Sequence, residues 1–248
     1  MRVAALYDIH GNLPALEAVL RDVRAAGVDR IVVGGDALLG PMPCQTLDCL
    51  LALDSPVNFI RGNCDREVLA AVHGTGNEAA PEQVRESIRW VARQLRPTDQ
   101  RAVAAWPETI SLPVDGVGRV LFCHATPEND NDIFTRLTAE EPLLGVFRSV
   151  NEAVVVCGHT HMQFDRMVGA TRVVNAGSVG MPFGTPRAQW LLAGPDVQLR
   201  LTDYDADEAA TRIRATEYPE AEDFVTRYVL RQPSEEEMLQ VFARREIK

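Results

Sequence analysis

The stretch Val3-Ala4-Ala5-Leu6-Tyr7-Asp8-Ile9-His10-Gly11-Asn12-Leu13 decides how this chain reads. The apolar run Val3–Tyr7 has the length and composition of a strand buried on both faces. It stops at Asp8, and His10 follows two residues later, so polar side chains stand at the strand's carboxyl end. A helix comes next: Leu13, Leu16, Val19, Leu20 and Val23 recur at helical spacing, with Asn12 placed to cap it and Gly27 to stop it.

The alternation continues outward. Arg30–Val33 is a second strand ending in Gly34-Gly35-Asp36. Leu47–Leu53 reads as helix, and Val57–Ile60 is a third strand running into Arg61-Gly62-Asn63-Cys64-Asp65. This order predicts a largely parallel sheet covered by helices. Glu82–Trp106 reads as two helices broken near Pro97. Strands dominate after it, at Thr109–Pro113, Arg119–Cys123, Ala153–Cys157, Gln163–Val168, Arg172–Val174, Gln189–Ala193 and Val197–Leu201. Their close spacing predicts hairpins and a second, more antiparallel sheet.

The tail reads as helices near Ala206–Thr216, Glu220–Leu230 and Glu235–Arg244, the last with Ser234 and Glu237 at capping-box spacing. These helices are expected to cover the second sheet, with contact to another copy of the chain, a homo-oligomer, as their alternative use. No linker divides the chain, so one domain over 1–248 is expected, with covering helices at about 205–248.

The formal charge of −10 argues against a surface that grips nucleic acid non-specifically. A small anionic substrate remains compatible, because bound metals invert the local field. Cys44, Cys49, Cys64, Cys123 and Cys157 are odd in number and irregular in spacing, which suits a reducing cytoplasm better than a disulfide framework. The first apolar run is too short for an export signal, and no segment approaches the length of a membrane span.

Four of the five histidines, His10, His124, His159 and His161, sit at strand ends beside glycine or a carboxylate. With Asp8, Asp36 and Asn63 they form a set in which every member lies within a few positions of a strand terminus. Loops beyond the carboxyl ends of α/β strands converge, so these residues can meet in one crevice. Mixed oxygen and imidazole ligands suit borderline divalent ions, manganese first among them here, with iron, zinc, cobalt and nickel as alternatives. The set exceeds one tetrahedral site. Two adjacent ions sharing a carboxylate use it fully.

Asp8-x-His10, Gly35-Asp36, Gly62-Asn63-x-Asp65, His124 and Gly158-His159-Thr160-His161 resemble, in order, the motifs of the calcineurin-like metallophosphoesterases. The resemblance spans about Met1 to Trp190 and implies a four-layer α/β sandwich of two facing mixed sheets flanked by helices. It also implies two ion sites. Asp8, His10 and His161 would hold one ion, and Asn63, His124 and His159 the other. Asp36 would bridge them, and Asp36, Asn63 and His124 are assigned to catalysis as well. The implied reaction is phosphate-ester hydrolysis by a hydroxide held between the ions. The segment Asn175-Ala176-Gly177-Ser178-Val179-Gly180 is similar to the family's loop beside the metals, with a plain structural turn as the alternative.

The sequence departs from the family at two places. Many members carry a leaving-group histidine where this chain has Cys64, and an aspartate orienting it where this chain has Leu39. Gly62-Asn63-Cys64-Asp65 and Gly34-Gly35-Asp36 with Gly40-Pro41 resemble a group of small prokaryotic phosphodiesterases in this family, and the joint absence of the acid pair favours diesters, nucleotide-derived ones among them. A phosphomonoesterase or protein phosphatase is the rival enzyme, and a non-catalytic interaction subunit is the rival of another class. An intact ligand set argues against the latter. Arg61, Arg66 and Arg136 are candidates to touch a substrate phosphate, although solvated surface roles are the plainer reading. Asn129-Asp130-Asn131-Asp132 is either a gating loop or an ordinary turn. His73 is expected to be structural. Because the recognised ligands end at His161, the tail is expected to lie outside the chemistry.

Overall fold

A computed structural model describes residues 1–76 and 78–247. Its frame is two five-stranded mixed sheets. The first has the order β10-β9-β1-β2-β3, formed by β1 (Val3–Leu6), β2 (Arg30–Val33), β3 (Val57–Phe59), β9 (Ala188–Ala193) and β10 (Val197–Thr202). The second has the order β4-β5-β6-β8-β7, formed by β4 (Thr109–Val114), β5 (Gly118–Cys123), β6 (Val154–Cys157), β7 (Phe164–Val168) and β8 (Thr171–Asn175). The first is parallel across β1, β2 and β3 and antiparallel from β1 through β9 to β10, whereas in the second β6 lies parallel to both β5 and β8 and the edges β4 and β7 are antiparallel.

The period of two along the strands explains the layering. Val3, Ala5 and Tyr7 face the second sheet and pack with Phe122, Val156 and Val174 in a core closed between the sheets. Ala4 and Leu6 face outward, against Leu16, Val19 and Leu20 of α1 (Leu13–Ala26). On the far side Val155, Cys157 and Val173 pack against Leu143 and Phe147 of α6 (Glu140–Phe147). Each such side chain contributes about 1.5–3 kcal/mol by leaving water. The same packing keeps the strand ends rigid, and the ends carry the site.

Helix α1 begins and ends as its sequence indicates. Asn12 Oδ1 accepts from Ala15 N at 3.3 Å, Pro14 occupies the first turn, and Gly27 closes the helix at φ +61°. The remaining helices are α2 (Pro43–Leu51), α3 (Asn63–Val72), α4 (Glu82–Gln94), α5 (Pro97–Ala104), α7 (Ala206–Arg214), α8 (Ala221–Phe224), which runs on into a π-helical turn at Val225–Leu230, and α9 (Glu235–Phe242). Ser234 and Glu237 close the expected capping box at the start of α9.

Three sequence expectations are corrected. Strands β9 and β10 join the first sheet, because Leu191 pairs Ala5 across β1 and buries against the inter-sheet core. Short hairpin spacing fixes that two strands pair, but not which sheet they extend. The tail covers the first sheet's side: Ala209, Ile213, Phe224 and Val225 share a core with Leu16 and Val19 of α1. Helix α2 starts at Pro43, where a proline is tolerated in the first turn. Among the described residues no helix is long and apolar enough to cross a membrane.

Candidate metal centre

The loops after β1, β2, β3, β5 and β6 meet at one edge between the sheets, and backbone hydrogen bonds lace them together. Gly34 N donates to Leu6 O at 2.8 Å, Asp8 N to Gly35 O at 3.1 Å, His10 N to Asp36 O at 2.9 Å and Gly158 N to His124 O at 2.8 Å. This lacing lets the backbone adopt conformations that a free chain avoids. Asp8, His10, Asp36, His159 and His161 all have positive φ, between 48° and 67°, and they are the non-glycine residues that do so among those described. Such a conformation costs on the order of 1–3 kcal/mol per residue. Every one of the five belongs to the set picked out by sequence, so the strain is concentrated where side chains are aimed.

Two glycines bring backbone against the carboxylates. A Cβ at Gly62 would lie 2.1 Å from Asp36 Oδ1, and one at Gly158 would lie 2.5 Å from Asp8 Oδ2. Their absence leaves room for Cys64 N to donate to Asp36 Oδ1 at 2.8 Å and His159 N to Asp8 Oδ2 at 2.8 Å. Each carboxylate is thereby anchored by one oxygen and offers the other.

Three imidazoles are oriented alike. Nδ1 of His10, His124 and His161 donates to the carbonyls of Leu39 (3.0 Å), Gly34 (2.9 Å) and Met181 (2.9 Å). That fixes the tautomer and turns each Nε2 inward as a lone pair, as metal-ligating histidines are held. Nε2 of His10 and His161 are 3.3 Å apart. His161 Nε2 is 3.4 Å from Asp8 Oδ1, and His124 Nε2 is 3.4 Å from Asp36 Oδ2 and 3.0 Å from Asn63 Oδ1. His159 stands edge-on to His124 with ring centroids 5.2 Å apart.

These donors fit divalent cations. Asp8 Oδ1 is buried without a hydrogen-bond partner, which is costly for a carboxylate oxygen unless a positive charge faces it. Ligand atoms of Asp8, His10 and His161 lie within 4.8 Å of one another, as do those of Asp36, His124 and His159, and Asp36 also groups with His10 and Cys64. Burial opposes charge throughout the site. Against it, Asp36 and Asp8 raise His124 to about 10, and Asp8 raises His161. His10 and His159 are lowered by burial and a neighbouring imidazole, His159 to about 4. Cations compete with protons for such nitrogens.

Four supporting residues lie outside the expected ligand set. Asp65 accepts from the amides of Asp36 (2.8 Å), Gly62 (3.1 Å), Ala37 (3.2 Å) and Leu38 (3.3 Å), tying the β2 loop to the start of α3. Asn175 Nδ2 donates to Gly158 O at 2.6 Å, and Ser178 Oγ donates to Asp8 O at 2.7 Å. Asn12 Nδ2 donates to Gly180 O at 2.9 Å. The segment 175–180 therefore buttresses the loops of Asp8 and His159. Asp65 stands in its motif, Asn175 and Ser178 in the loop expected beside the metals, and Asn12 at the expected helix cap, while their roles as braces rest on distant contacts.

Other candidates find ordinary partners. Arg61 pairs Glu108 at 3.0 Å, Arg66 pairs Asp130 at 2.7 Å and Glu67 at 2.9 Å, and Arg136 pairs Glu235 at 3.4 Å. Thr126 Oγ1 donates to Asp132 and accepts from Asn129 N, so 129–132 is a hydrogen-bonded turn beside Arg66. His73 is exposed at the end of α3. Cys64 is half-buried, and burial together with Asp36 pushes its thiol well above the usual range, which keeps it protonated.

A cavity of about 420 Å³ opens beside His10, and Tyr218, Phe224 and Tyr228 from the tail help line it. The tail supplies none of the clustered donor side chains among the described residues, but it does supply walls of the adjoining cavity.

The sequence profile of the calcineurin-like phosphoesterase superfamily domain matches residues 1–194. An uncharacterized protein of Methanocaldococcus jannaschii is 24% identical over 244 residues, spanning 88% of this chain and 94% of that one. The phosphodiesterase YfcE of Escherichia coli is 35% identical over 77 residues, 27% of this chain and 42% of that protein. Among solved structures, a metallophosphoesterase from Sphaerobacter thermophilus is similar at TM-score 0.70 and 25% identity, over 92% of this chain and 97% of the other. A hypothetical protein from Pyrococcus horikoshii is similar at TM-score 0.77 and 21% identity, over 91% and 96%.

Proposed function

This chain belongs to the calcineurin-like phosphoesterase superfamily, and from that premise we propose that it hydrolyses phosphodiesters with the help of two divalent ions. The observation that carries the reading is the convergence of Asp8, His10 and His161, and of Asp36, His124 and His159, each group with its ligand atoms within 4.8 Å. Asp8, His10 and His161 would hold one ion, Asn63, His124 and His159 the other, and Asp36 both. Manganese is favoured by the mixed oxygen and nitrogen set, with iron, zinc, cobalt or nickel as alternatives. When bound, the ions supply Lewis-acid polarisation of phosphoryl oxygens and lower the pKa of water toward roughly 7.

The protein's own part is positioning. Carbonyls of Leu39, Gly34 and Met181 hold the imidazoles, and the amides of Cys64 and His159 hold the carboxylates, so little reorganises when a phosphate arrives. Diesters are favoured over monoesters because no imidazole stands at Cys64 and no carboxylate at Leu39 to protonate a poor leaving group. The local match to an Escherichia coli phosphodiesterase points the same way. A protein phosphatase would need that acid. A non-catalytic scaffold would have no use for strained backbone at five ligand positions.

The test is hydrolysis of matched aryl mono- and diesters by chelated and metal-restored protein. Diester turnover that returns with added ions is expected. Turnover confined to monoesters overturns the diester assignment.

A further inference from the structure

The cavity beside His10 has walls from three separate parts of the chain. Leu39 and Met181 come from loops of the metal edge, and Val84 from α4. Tyr218, Phe224 and Tyr228 come from the tail, the last on the π-helical turn, a conformation frequent at functional sites. Its volume, about 420 Å³, falls in the range of small-molecule sites. Tyr218 and Phe224 are buried among neighbouring rings, whereas Tyr228 is half-buried on the cavity wall, edge-on to Phe224 at 5.6 Å.

Charge narrows the occupant. Among the described residues, Arg227 is the only arginine or lysine on the walls. It faces Asp223 at 3.5 Å and lies over the Tyr228 ring at 5.9 Å, so it is already engaged. Glu220 adds a second carboxylate. A second phosphate would meet net negative charge. A neutral planar ring with N–H donors avoids that obstacle: the aromatic walls offer stacking, and Glu220, Asp223 and Gln83 offer acceptors.

We propose that this cavity is the subsite for a neutral heteroaromatic base carried on one ester arm of the substrate, with Tyr228 as its specificity-determining residue. The proposal rests on the phosphodiesterase reading above and narrows its substrate class. Stacking of one base on an aromatic side chain is worth roughly five- to a hundredfold in affinity.

The test compares diesters that share a 4-nitrophenyl leaving group and differ in the other arm: thymidine 5′-, methyl, or 2-(trimethylammonio)ethyl. Wild type should prefer the thymidine ester over the methyl ester by about tenfold or more in kcat/KM. Tyr228→Ala should lower that ratio toward one, as should Val84→Trp, which fills the cavity from the exposed rim of α4. A merely structural role for Tyr228 would lower both rates together and leave the ratio intact, which overturns the proposal. Preference for the ammonium ester also overturns it. If no diester is cleaved, the phosphodiesterase reading fails, and calorimetric titration with thymidine and adenosine decides the subsite alone. Binding to wild type that Tyr228→Ala and Val84→Trp abolish upholds it, and no binding to wild type overturns it.

Discussion

Asp65 holds Asp36 in place without joining the clustered donor groups: one carboxylate oxygen accepts the Asp36 amide at 2.8 Å, and the other accepts those of Ala37 and Leu38 at 3.2 and 3.3 Å. It does so from within a buried site, where burial and the Asp36 charge raise its own carboxyl to about 7. Asp36 is kept at φ +52° by this clasp. Asp65→Asn sets an amide donor against backbone donors and leaves a buried N–H unpaired, at about 1–3 kcal/mol. The melting temperature should fall by several degrees, at about 2–4 °C per kcal/mol for a chain of this size. Ion content should fall with it. Unchanged melting and full ion content would show that the clasp is not needed.

The tail prediction follows from rings rather than motifs. Phe183 stacks on His161 with centroids 5.1 Å apart and an interplanar angle of 23°, and Phe242 of α9 lies 6.4 Å from Phe183. Ending the chain at Pro233 removes Phe242 and the Ile247–Ile133 backbone bond. The truncated protein should fold and turn over a small diester several-fold more slowly, with Phe242→Ala intermediate. Equal turnover in all three proteins would detach α9 from the site.

A salt bridge joins the tail to the first helix. Arg212 Nη1 and Nη2 meet the Glu17 carboxylate at 2.6 and 3.0 Å and hold it below its usual range. A lowered carboxylate stabilises the fold above its unfolded pKa, about 4.3, and loses that contribution as pH falls through the lower folded value. Both side chains are about one-third exposed, so screening limits the effect to under about 1 kcal/mol. Glu17→Gln should lower the melting temperature slightly at pH 7, and the deficit should shrink as pH falls below about 4.3. A deficit that stays constant as pH falls would point to packing instead of charge.

Leaving-group chemistry separates this site from relatives that carry an acid. Leu39 gives its carbonyl to His10 and its side chain to the cavity wall. Cys64 gives its amide to Asp36. Neither supplies a proton readily. Wild-type rates should therefore depend steeply on leaving-group pKa, and general acid help is typically worth about 10²–10⁴. Cys64→His alone should change little. Cys64→His with Leu39→Asp should flatten the dependence, and a flat wild-type line would mean that another group donates.

The legible part of this protein was the part governed by local rules. Val3–Tyr7 announced a doubly buried strand, and the parallel β1–β2 pairing follows from it. Asp8, His10, Asp36, His124, His159 and His161 could be placed together because strand ends converge. What stayed hidden depends on distant contacts. Leu191 reads as strand in any sheet, and only its pairing with Ala5 assigns it to the first. Tyr218 and Tyr228 sit in an amphipathic tail whose spacing says helix and core, and nothing local says that they wall a cavity at His10. The π-helical turn at Val225–Leu230 likewise has no local sign in the sequence.

The most direct test of the account is the ion content of the chain and its link to hydrolysis. Protein restored with manganese after chelation should hold two ions and cleave bis(4-nitrophenyl) phosphate. Asp36 belongs to two of the clustered donor groups, one with His10 and one with His124 and His159, whereas Asp8 belongs to the group with His10 and His161 and lies farther, at 3.9 Å, from His124. Asp36→Asn should therefore lose both ions and nearly all turnover, and Asp8→Asn should keep one ion and more of the rate. A wild-type chain that holds no ion, or that hydrolyses the diester fully in excess chelator, would contradict the account.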